Sequence, residues 1–264
     1  MKRYFIVLLI FIGLGLANAH EFWLLPKKFK YKSGEAMVLD FMVGENFEGG
    51  FWDLGRHKVE KIVLHNRVAT IDLTGKEKKG MDGNLEHTFN NVGTQMVTLE
   101  SNNAYIELEP EKFDSYLKED GLDYILEERR KLGEENKTSR ELYRRYAKLL
   151  VQVGDRTDDT YKKSAGLRLE VVPLQNPYDL KPGDYLDCKV YYEGKPAQHA
   201  LVKVWNHVGN RVFLQNIYTE DDGSIRFPLS SGGAWMVSTV KMVRAQSDKA
   251  EWQSMWSSLV FGIQ

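Results

Sequence analysis

Residues 201–229, LVKVWNHVGNRVFLQNIYTEDDGSIRFPL, decide the fold class of this chain. Two runs rich in β-branched and aromatic residues, 201–205 and 211–218, precede the turn sequence EDDG at residues 220–223 and a third run, 225–229. Short runs of this kind, separated by Asn, Asp and Gly, are typical of antiparallel strands joined by tight turns. The stretch therefore predicts three consecutive strands of an antiparallel β-sheet.

The same pattern continues on both sides of that stretch. Further strand-like runs cover residues 167–172, 186–192, 234–242 and 258–263. Together they make about seven short strands in about 100 residues, which is the spacing of an immunoglobulin-like sandwich. We therefore expect a C-terminal immunoglobulin-like domain over residues 164–264.

The N-terminal part also carries strand patterns. The strand candidates are residues 36–43, 59–65, 84–89, 95–100 and 104–108. Glycines and asparagine-rich turns separate them, and runs of this length with such turns favour an antiparallel arrangement. We therefore expect an N-terminal β-sandwich over residues 20–110.

Between these two parts the period changes to that of a helix. Residues 122–132 form one amphipathic segment, and Thr138 with Glu141 forms a capping box that precedes apolar residues at helical spacing as far as Val153. The pattern predicts a helical hairpin and linker over residues 111–163. The expected fold is thus mainly β, with two β-sandwich lobes and a helical hairpin inserted between them.

The first 19 residues have the three parts of a secretory signal peptide. Lys2 and Arg3 are followed by an uncharged, mostly apolar run at residues 4–16 and by the small residues around Ala19. A membrane-spanning helix needs roughly 20 apolar residues, and this run has 13. We expect cleavage after Ala19 and a periplasmic mature protein without a membrane anchor.

The charge balance excludes a general nucleic-acid binder. The chain has 36 Lys and Arg against 37 Asp and Glu, a formal net charge of −1, and this provides no basic surface for phosphates. Loss of Lys2 and Arg3 with the signal peptide would leave the mature chain modestly acidic. The single cysteine, Cys188, shares strand parity with Leu186 and Val190, which predicts a small core residue rather than a nucleophile.

Cleavage after Ala19 would make His20 the N-terminal residue. Its α-amine and its imidazole could then chelate one metal ion, and a further imidazole would complete a site of the kind that copper and nickel favour. The pKa of a free α-amine is about 8, so its deprotonation near neutrality is inexpensive. His20 is therefore the first candidate metal ligand.

The second ligand has to come from another histidine. His207, expected in a loop before Gly209, and His57, expected at the start of a strand, are the preferred candidates, although an ordinary surface histidine remains the alternative for each. Trp23 and Trp52 are candidates for the walls of a site near the mature N-terminus.

The chain lacks the short motifs of common enzymes. It has no Gly-x-Ser-x-Gly elbow, no His-Glu-x-x-His zinc motif and no phosphate loop with a lysine. We therefore expect a protein that is not an enzyme.

Several motifs in combination resemble a bacterial periplasmic family that is classed as a domain of unknown function. They are residues 20–26 (HEFWLLP), 169–173 (LEVVP), 176–178 (NPY), 181–184 (KPGD), 219–223 (TEDDG), 227–229 (FPL), 233–236 (GAWM) and 256–259 (WSSL). The family is associated with nickel uptake through NikM-type components. The resemblance implies a periplasmic location and a metal-uptake membrane complex as partner, and the second half is also similar to transthyretin-like immunoglobulin folds.

Two hypotheses follow. In the first, the protein binds nickel, cobalt or copper through His20 together with His57 or His207 and serves metal uptake. In the alternative, it is a metal-free immunoglobulin-like module that binds a protein or glycan partner.

Overall fold

The computed structural model describes residues 21–264. Strands account for 52% and helices for 11% of these residues, which confirms the expected mainly β fold. The strands of the N-terminal part are β1 (Glu21–Pro26), β2 (Lys30–Tyr31), β3 (Ala36–Glu45), β4 (Glu48–Phe51), β5 (Val59–His65), β6 (Thr70–Asp72), β7 (Asn84–Thr88), β8 (Gly93–Ser101) and β9 (Ala104–Leu108).

Two helices and a second series of strands follow. The helices are α1 (Pro110–Glu119) and α2 (Asp123–Lys131). The strands are β10 (Ser139–Val153), β11 (Leu169–Pro173), β12 (Tyr185–Tyr192), β13 (Lys195–Pro196), β14 (Leu201–Val208), β15 (Arg211–Tyr218), β16 (Ser224–Pro228), β17 (Gly233–Arg244) and β18 (Trp252–Ile263). Short 3₁₀ turns lie at Asp159–Lys162 and Pro177–Asp179.

Within residues 21–264 the strands form three sheets. The front sheet contains β1, β3, β4 and β7, and the back sheet contains β11, β12, β13 and β16. The central sheet has the strand order β15-β14-β17-β18-β10-β8-β5-β6, with β2 and β9 also paired to β10. Strands from both ends of the chain are therefore neighbours in one sheet.

The central sheet is shared by two hydrophobic cores, one on each face. From β10, Ala147, Leu149 and Val151 belong to the core formed with the front sheet. Tyr146 and Leu150 belong to the core formed with the back sheet. Successive residues of a strand point to opposite faces, so the two sandwiches lie on opposite sides of one central sheet.

The two helices cover another part of the front face. Phe113 and Leu117 of α1 pack with Met242, Trp252 and Trp256 of the central sheet. Trp256 is paired in register with Arg145, and Val260 with Leu149, so these residues share the front face. The front sheet and the helices are thus side by side on the same face. Neither helix in this described part of the chain has the length and apolar character needed to cross a membrane.

Segment 138–153, expected to be the second helix of the hairpin, is the strand β10, and that expectation was wrong. β10 is buried on both faces from Tyr146 to Val153, so its sequence is almost continuously hydrophobic and does not alternate. Such a run cannot be distinguished from a buried helix by periodicity alone. The other expected helix, 122–132, is confirmed as α2, whereas α1 was not expected.

Other expectations agree with the structure in detail. β5 and β9 have the bounds expected from the sequence, and Cys188 is completely buried in the core behind the central sheet. The division of the chain at residues 111–163 stays a prediction as a domain boundary, although β10 belongs to a sheet that both halves build.

A buried ion pair joins β10 to the back sheet. The Nζ of Lys148 lies 2.5 Å from Glu170 Oε1, and the two side chains are 1% and 2% exposed. Lys148 also donates a hydrogen bond to the Val171 carbonyl, and Glu170 accepts hydrogen bonds from the Ser164 hydroxyl and the Ala165 N–H. Both charges are therefore satisfied inside the protein.

Replacement of Lys148 by Met should destabilise the protein by about 3–5 kcal/mol, because it leaves the Glu170 carboxylate buried without its counter-charge. Lys78→Met, which breaks an exposed pair with Glu86, is the matched control and should cost at most about 1 kcal/mol. The free energy of unfolding of each variant is measured by chemical denaturation and compared with that of the native protein. The double variant Lys148→Met/Glu170→Gln should recover part of the loss, and equal losses for Lys148→Met and Lys78→Met would contradict the assignment.

Candidate functional site

A cleft of about 300 Å³ opens on the front face of the central sheet. Strands β3 and β4 of the front sheet form one side, and β9, which leads into α1, forms the other. The side chains that determine its chemistry are Trp52, His57, Glu141, Tyr143, Arg145 and Trp256. We call this feature the β10 cleft.

Strand β10 supplies the floor of the cleft. Glu141, Tyr143 and Arg145 alternate along the strand, so they point to the same face as Ala147 and Leu149. Further along the strand the front sheet covers this face, whereas at these three positions the face lines the cleft. The backbone N–H of Arg145 donates a hydrogen bond to the hydroxyl of Ser101, the last residue of β8, at 3.0 Å.

Arg145 is a buried cation that has no anionic partner among residues 21–264. Its guanidinium lies between the rings of Phe22 and Tyr143, with 5.4 Å to each ring centroid. The side chain is 8% exposed, and in the described chain nothing accepts a hydrogen bond from Nε or Nη1. Burial lowers the pKa of Arg145 to about 10, so the group is still charged at neutral pH.

The two ring contacts do not offset the cost of this burial. A desolvated cation–π contact contributes about 2 kcal/mol, whereas removing an ion from water costs several kcal/mol and each unmade hydrogen bond adds to that. In the part of the chain that the structure describes, Arg145 is therefore a charge without a counter-ion at the wall of a cleft.

Glu141 is the second buried ionisable group of the cleft. Its Oε1 accepts hydrogen bonds from the Tyr116 hydroxyl at 3.2 Å and from the Ser254 hydroxyl, while Oε2 has no partner among residues 21–264. Burial raises the pKa of Glu141 to about 7, because the two hydrogen bonds offset only part of the desolvation. The carboxyl group therefore titrates near neutral pH.

The loop between β4 and β5 places Trp52 and His57 over the cleft. The two rings are stacked, with centroids 5.0 Å apart and an interplanar angle of 12°, and Phe22 meets Trp52 edge-on at 4.9 Å. The backbone N–H of His57 donates a hydrogen bond to the backbone carbonyl of Asp53 in a tight turn. Burial, together with the positive charge of Arg145, lowers the pKa of His57, so its imidazole is neutral at neutral pH.

The two candidate metal ligands that the structure describes, His57 and His207, lie on different elements. His207 lies inside β14 rather than in a loop, which corrects the expectation, because the strand continues to Val208. Its Nε2 lies 4.0 Å from Glu48, and its ring contacts Phe47. His20 lies outside the described residues. Within residues 21–264, no cluster of three or more His, Cys, Asp or Glu is arranged to hold a metal ion.

The sequence pointed to part of this site only. Trp52 and His57 were singled out and both line the β10 cleft, whereas Trp23 is buried against Phe47 in the front core. Glu141 was expected to cap a helix, and Arg145 was not singled out. The signal for both was the alternation of Glu141, Tyr143 and Arg145, which is visible once the segment is recognised as a strand.

Glu141 should make the stability of the protein depend on pH. The pKa of Glu141 is about 7 in the folded protein and 4.5 for an ordinary glutamate. The free energy of unfolding therefore falls as pH rises from 4.5 to 7, by about 3 kcal/mol in total. A glutamine side chain does not titrate, so this loss is absent from the variant Glu141→Gln. The unfolding free energy of the variant minus that of the native protein should therefore rise by about 3 kcal/mol from pH 5 to pH 8. Urea denaturation at both pH values measures the difference. Glu127→Gln, at an exposed helix position, controls for loss of one carboxylate, and an unchanged difference for Glu141→Gln would contradict the assignment.

Three solved structures show a remote likeness to this chain. Trypsin-activated alpha-2-macroglobulin from Escherichia coli matches at 10% identity and a TM-score of 0.25, over 93% of this chain and 16% of that one. A tetra-tandem repeat from the extending region of a large adhesion protein matches at 10% identity and a TM-score of 0.22, over 93% and 50%. Three N-terminal domains of the bacteriophage RB49 outer capsid protein Hoc match at 12% identity and a TM-score of 0.18, over 91% and 59%.

This chain spans less than two thirds of the length of each of these three proteins, and TM-scores of this size do not establish a shared topology. No curated protein matches the sequence. A family model described as a domain of unknown function, DUF4198, matches residues 17–242, which is most of the chain. The protein therefore belongs to the DUF4198 family.

Proposed function

We propose that this protein is an exported binding protein that captures a small organic molecule in the β10 cleft. One observation carries the proposal: three residues that line the same concave site each have a buried polar group without a hydrogen-bond partner among residues 21–264. These groups are Nε1 of Trp52, Oε2 of Glu141, and Nε and Nη1 of Arg145. Sites for small molecules combine a mostly apolar wall with a few polar groups that converge on the ligand. The aromatic walls of the cleft supply the apolar part.

Export supports this function. The signal-peptide pattern of residues 1–19 directs the chain to the periplasm, where a binding protein meets solutes before they reach the inner membrane. The absence of common enzyme motifs from the sequence is in keeping with a binding role. This refines the metal-free alternative, with a small molecule in place of a protein or glycan partner.

Metal binding for an uptake complex is the second candidate, and the position of His57 favours it. Phe22, two residues after His20, contacts Trp52, and Trp52 stacks on His57. His57 is neutral, which a metal ligand has to be. Nickel, cobalt or copper would then be held by His20 with His57 rather than with His207. The unpaired charge of Arg145 opposes a cation at this place, so we rank the organic ligand first.

A substitution that fills the cleft should abolish ligand binding. Ile106 lines the cleft and is half-buried at the edge of the core beneath the helices, so Ile106→Trp enlarges a side chain at the wall of the cleft. In a thermal-shift screen of small metabolites, a ligand at 100 times its Kd should stabilise the native protein by about 2.7 kcal/mol. That corresponds to a shift in Tm of several degrees.

Tyr105→Trp, the adjacent exposed position on β9, is the matched control and should keep the shift. A compound that stabilises the native protein and Ile106→Trp equally would place its site elsewhere. A screen in which no compound shifts the native protein would refute the proposed function.

The metal hypothesis has a separate test. The correctly processed protein, a form with one alanine added before His20, and the variants His57→Ala and His207→Ala are titrated with Cu(II) and Ni(II) by calorimetry. If His20 and His57 hold the ion, the added alanine and His57→Ala each weaken binding by roughly ten-fold or more, in the range seen when metal sites are perturbed. His207→Ala leaves it unchanged. Equal affinities in all four proteins would exclude a site at the N-terminal histidine.

A further inference from the structure

We propose that the ligand of the β10 cleft is a small organic monocarboxylate, with its carboxylate on Arg145 and its apolar body against the aromatic walls. This inference rests on the proposed function of the cleft as a binding site and adds the chemical class of the ligand.

The charge of Arg145 is the first argument. Nε and Nη1 are planar, charge-bearing donors that no residue within 21–264 satisfies. A carboxylate matches the fork of a guanidinium and can accept two parallel hydrogen bonds from it. A ligand of this class therefore supplies the counter-charge that Arg145 lacks among the described residues, through one edge of its guanidinium.

A second buried arginine shows what a structural role looks like in this protein. Arg129 is 2% exposed and donates to the Ser139 hydroxyl and to the carbonyls of Glu135 and Lys137, with Asp114 3.5 Å from its Nε. It ties helix α2 to the loop that follows. Nε of each arginine lacks a hydrogen-bond acceptor among the described residues, but Arg129 has the Asp114 carboxylate nearby. Arg145 has no carboxylate near it in the described part of the chain, its Nη1 is also unsatisfied, and it lines a cleft.

The remaining charges favour a ligand with one negative charge. Arg56 at the cleft is highly exposed and lies 3.4 Å from Asp53, so its charge already has a partner. Arg145 is then the one unpaired cation that the described residues present to the cleft. A dianion such as phosphate would retain one uncompensated negative charge in the cleft, and a cationic ligand would be repelled by Arg145.

The walls and the volume define the rest of the molecule. Phe51, Trp52, Ile106 and Trp256 present aromatic and aliphatic surface to the cleft. A volume of about 300 Å³ lies at the small end of the range for organic ligands. The ligand is therefore compact and largely apolar apart from its carboxylate.

Glu141 makes this binding sensitive to pH. It lies four residues from Arg145 on the same strand face, about 13 Å away between Cα atoms on an extended strand. Tyr116 of α1, Asp120 directly after α1 and Ser254 of β18 act on Glu141 itself. The charged or titratable residues that line the same cleft are Arg145 and Tyr143 of β10 and Asp53, Arg56 and His57 of the β4–β5 loop. Ionised Glu141 adds negative charge to the cleft and so opposes a bound carboxylate.

The experiment compares matched pairs of probes by calorimetry on the processed protein at pH 6.5. Each pair is a monocarboxylate and its neutral primary amide: phenylacetate with phenylacetamide, indole-3-acetate with indole-3-acetamide, and hexanoate with hexanamide. We expect at least one carboxylate to bind ten-fold or more tightly than its amide. Arg145→Met should remove that preference, whereas Arg144→Met, on the opposite face of β10, should retain it.

Arg145→Met should also raise the Tm of the ligand-free protein, because it removes a buried unpaired charge. A merely structural arginine would give the opposite change. Should the Met variant not purify in folded form, Arg145→Gln, which keeps polarity without charge, replaces it in the binding test.

The outcomes separate this inference from the proposed function. If metabolites bind in the cleft but no carboxylate of the panel exceeds its amide, the monocarboxylate assignment is overturned and the binding function stands. If inorganic phosphate or sulfate binds as tightly as the best carboxylate, the assignment of an apolar body is overturned. If nothing binds in either experiment, both proposals fall together.

A final measurement isolates Glu141. Between pH 6.5 and pH 8, the affinity of the native protein for the best carboxylate should fall three-fold or more, and Glu141→Gln should flatten this dependence. Asp120 and His57 remain in that variant, so an undiminished fall in Glu141→Gln would assign the effect to them and overturn the role of Glu141.

Discussion

The parallel pairing of β10 with β18 is the contact on which the rest of the structure depends. It aligns Glu141 with Trp252 and continues in register to Leu149 and Val260. The two strands are about a hundred residues apart in the chain, and β8 and β9 of the N-terminal part pair with the other edge of β10. Through this one strand the two halves of the protein become a single sheet with a core on each face. Contacts at such sequence separation require the whole chain before they stabilise anything.

The register of β10 also creates the cleft. Its odd-numbered residues face the front sheet from Ala147 to Val153, and the same parity brings Glu141, Tyr143 and Arg145 to the surface that the front sheet leaves open. A shift of one residue would turn these three side chains to the back face. The same shift would withdraw Lys148 from Glu170 and place it among the apolar residues of the front core, so the buried ion pair specifies the register that forms the cleft.

The sequence predicted the local elements better than their assembly. Strands such as Val59–His65 and Ala104–Leu108 follow from alternation and turn chemistry, which act over a few residues. β10 could not be predicted in this way, since a strand covered on both faces loses its alternation and Thr138 with Glu141 imitates a helix start. Because β10 was expected to be a helix, the residues on the floor of the cleft were not recognised as neighbours. Trp52 and His57 could be predicted because tryptophan and histidine are residue types that often line binding sites. Arg145 is unusual only because it is buried without a counter-ion among the described residues, and this is not visible in the sequence.

Lys148 and Arg145 are two buried cations three residues apart on opposite faces of one strand, and they differ in what surrounds them. On the back face, Glu170 and the Val171 carbonyl satisfy the ammonium group, so its charge contributes to the position of the back sheet. On the front face, Phe22 and Tyr143 enclose the guanidinium, but neither ring can accept its hydrogen bonds as an oxygen would. A methionine at Arg145 would fill the same space without a desolvation cost. Stability alone therefore gives no reason for an arginine at this position, and the anionic ligand proposed for the cleft supplies one.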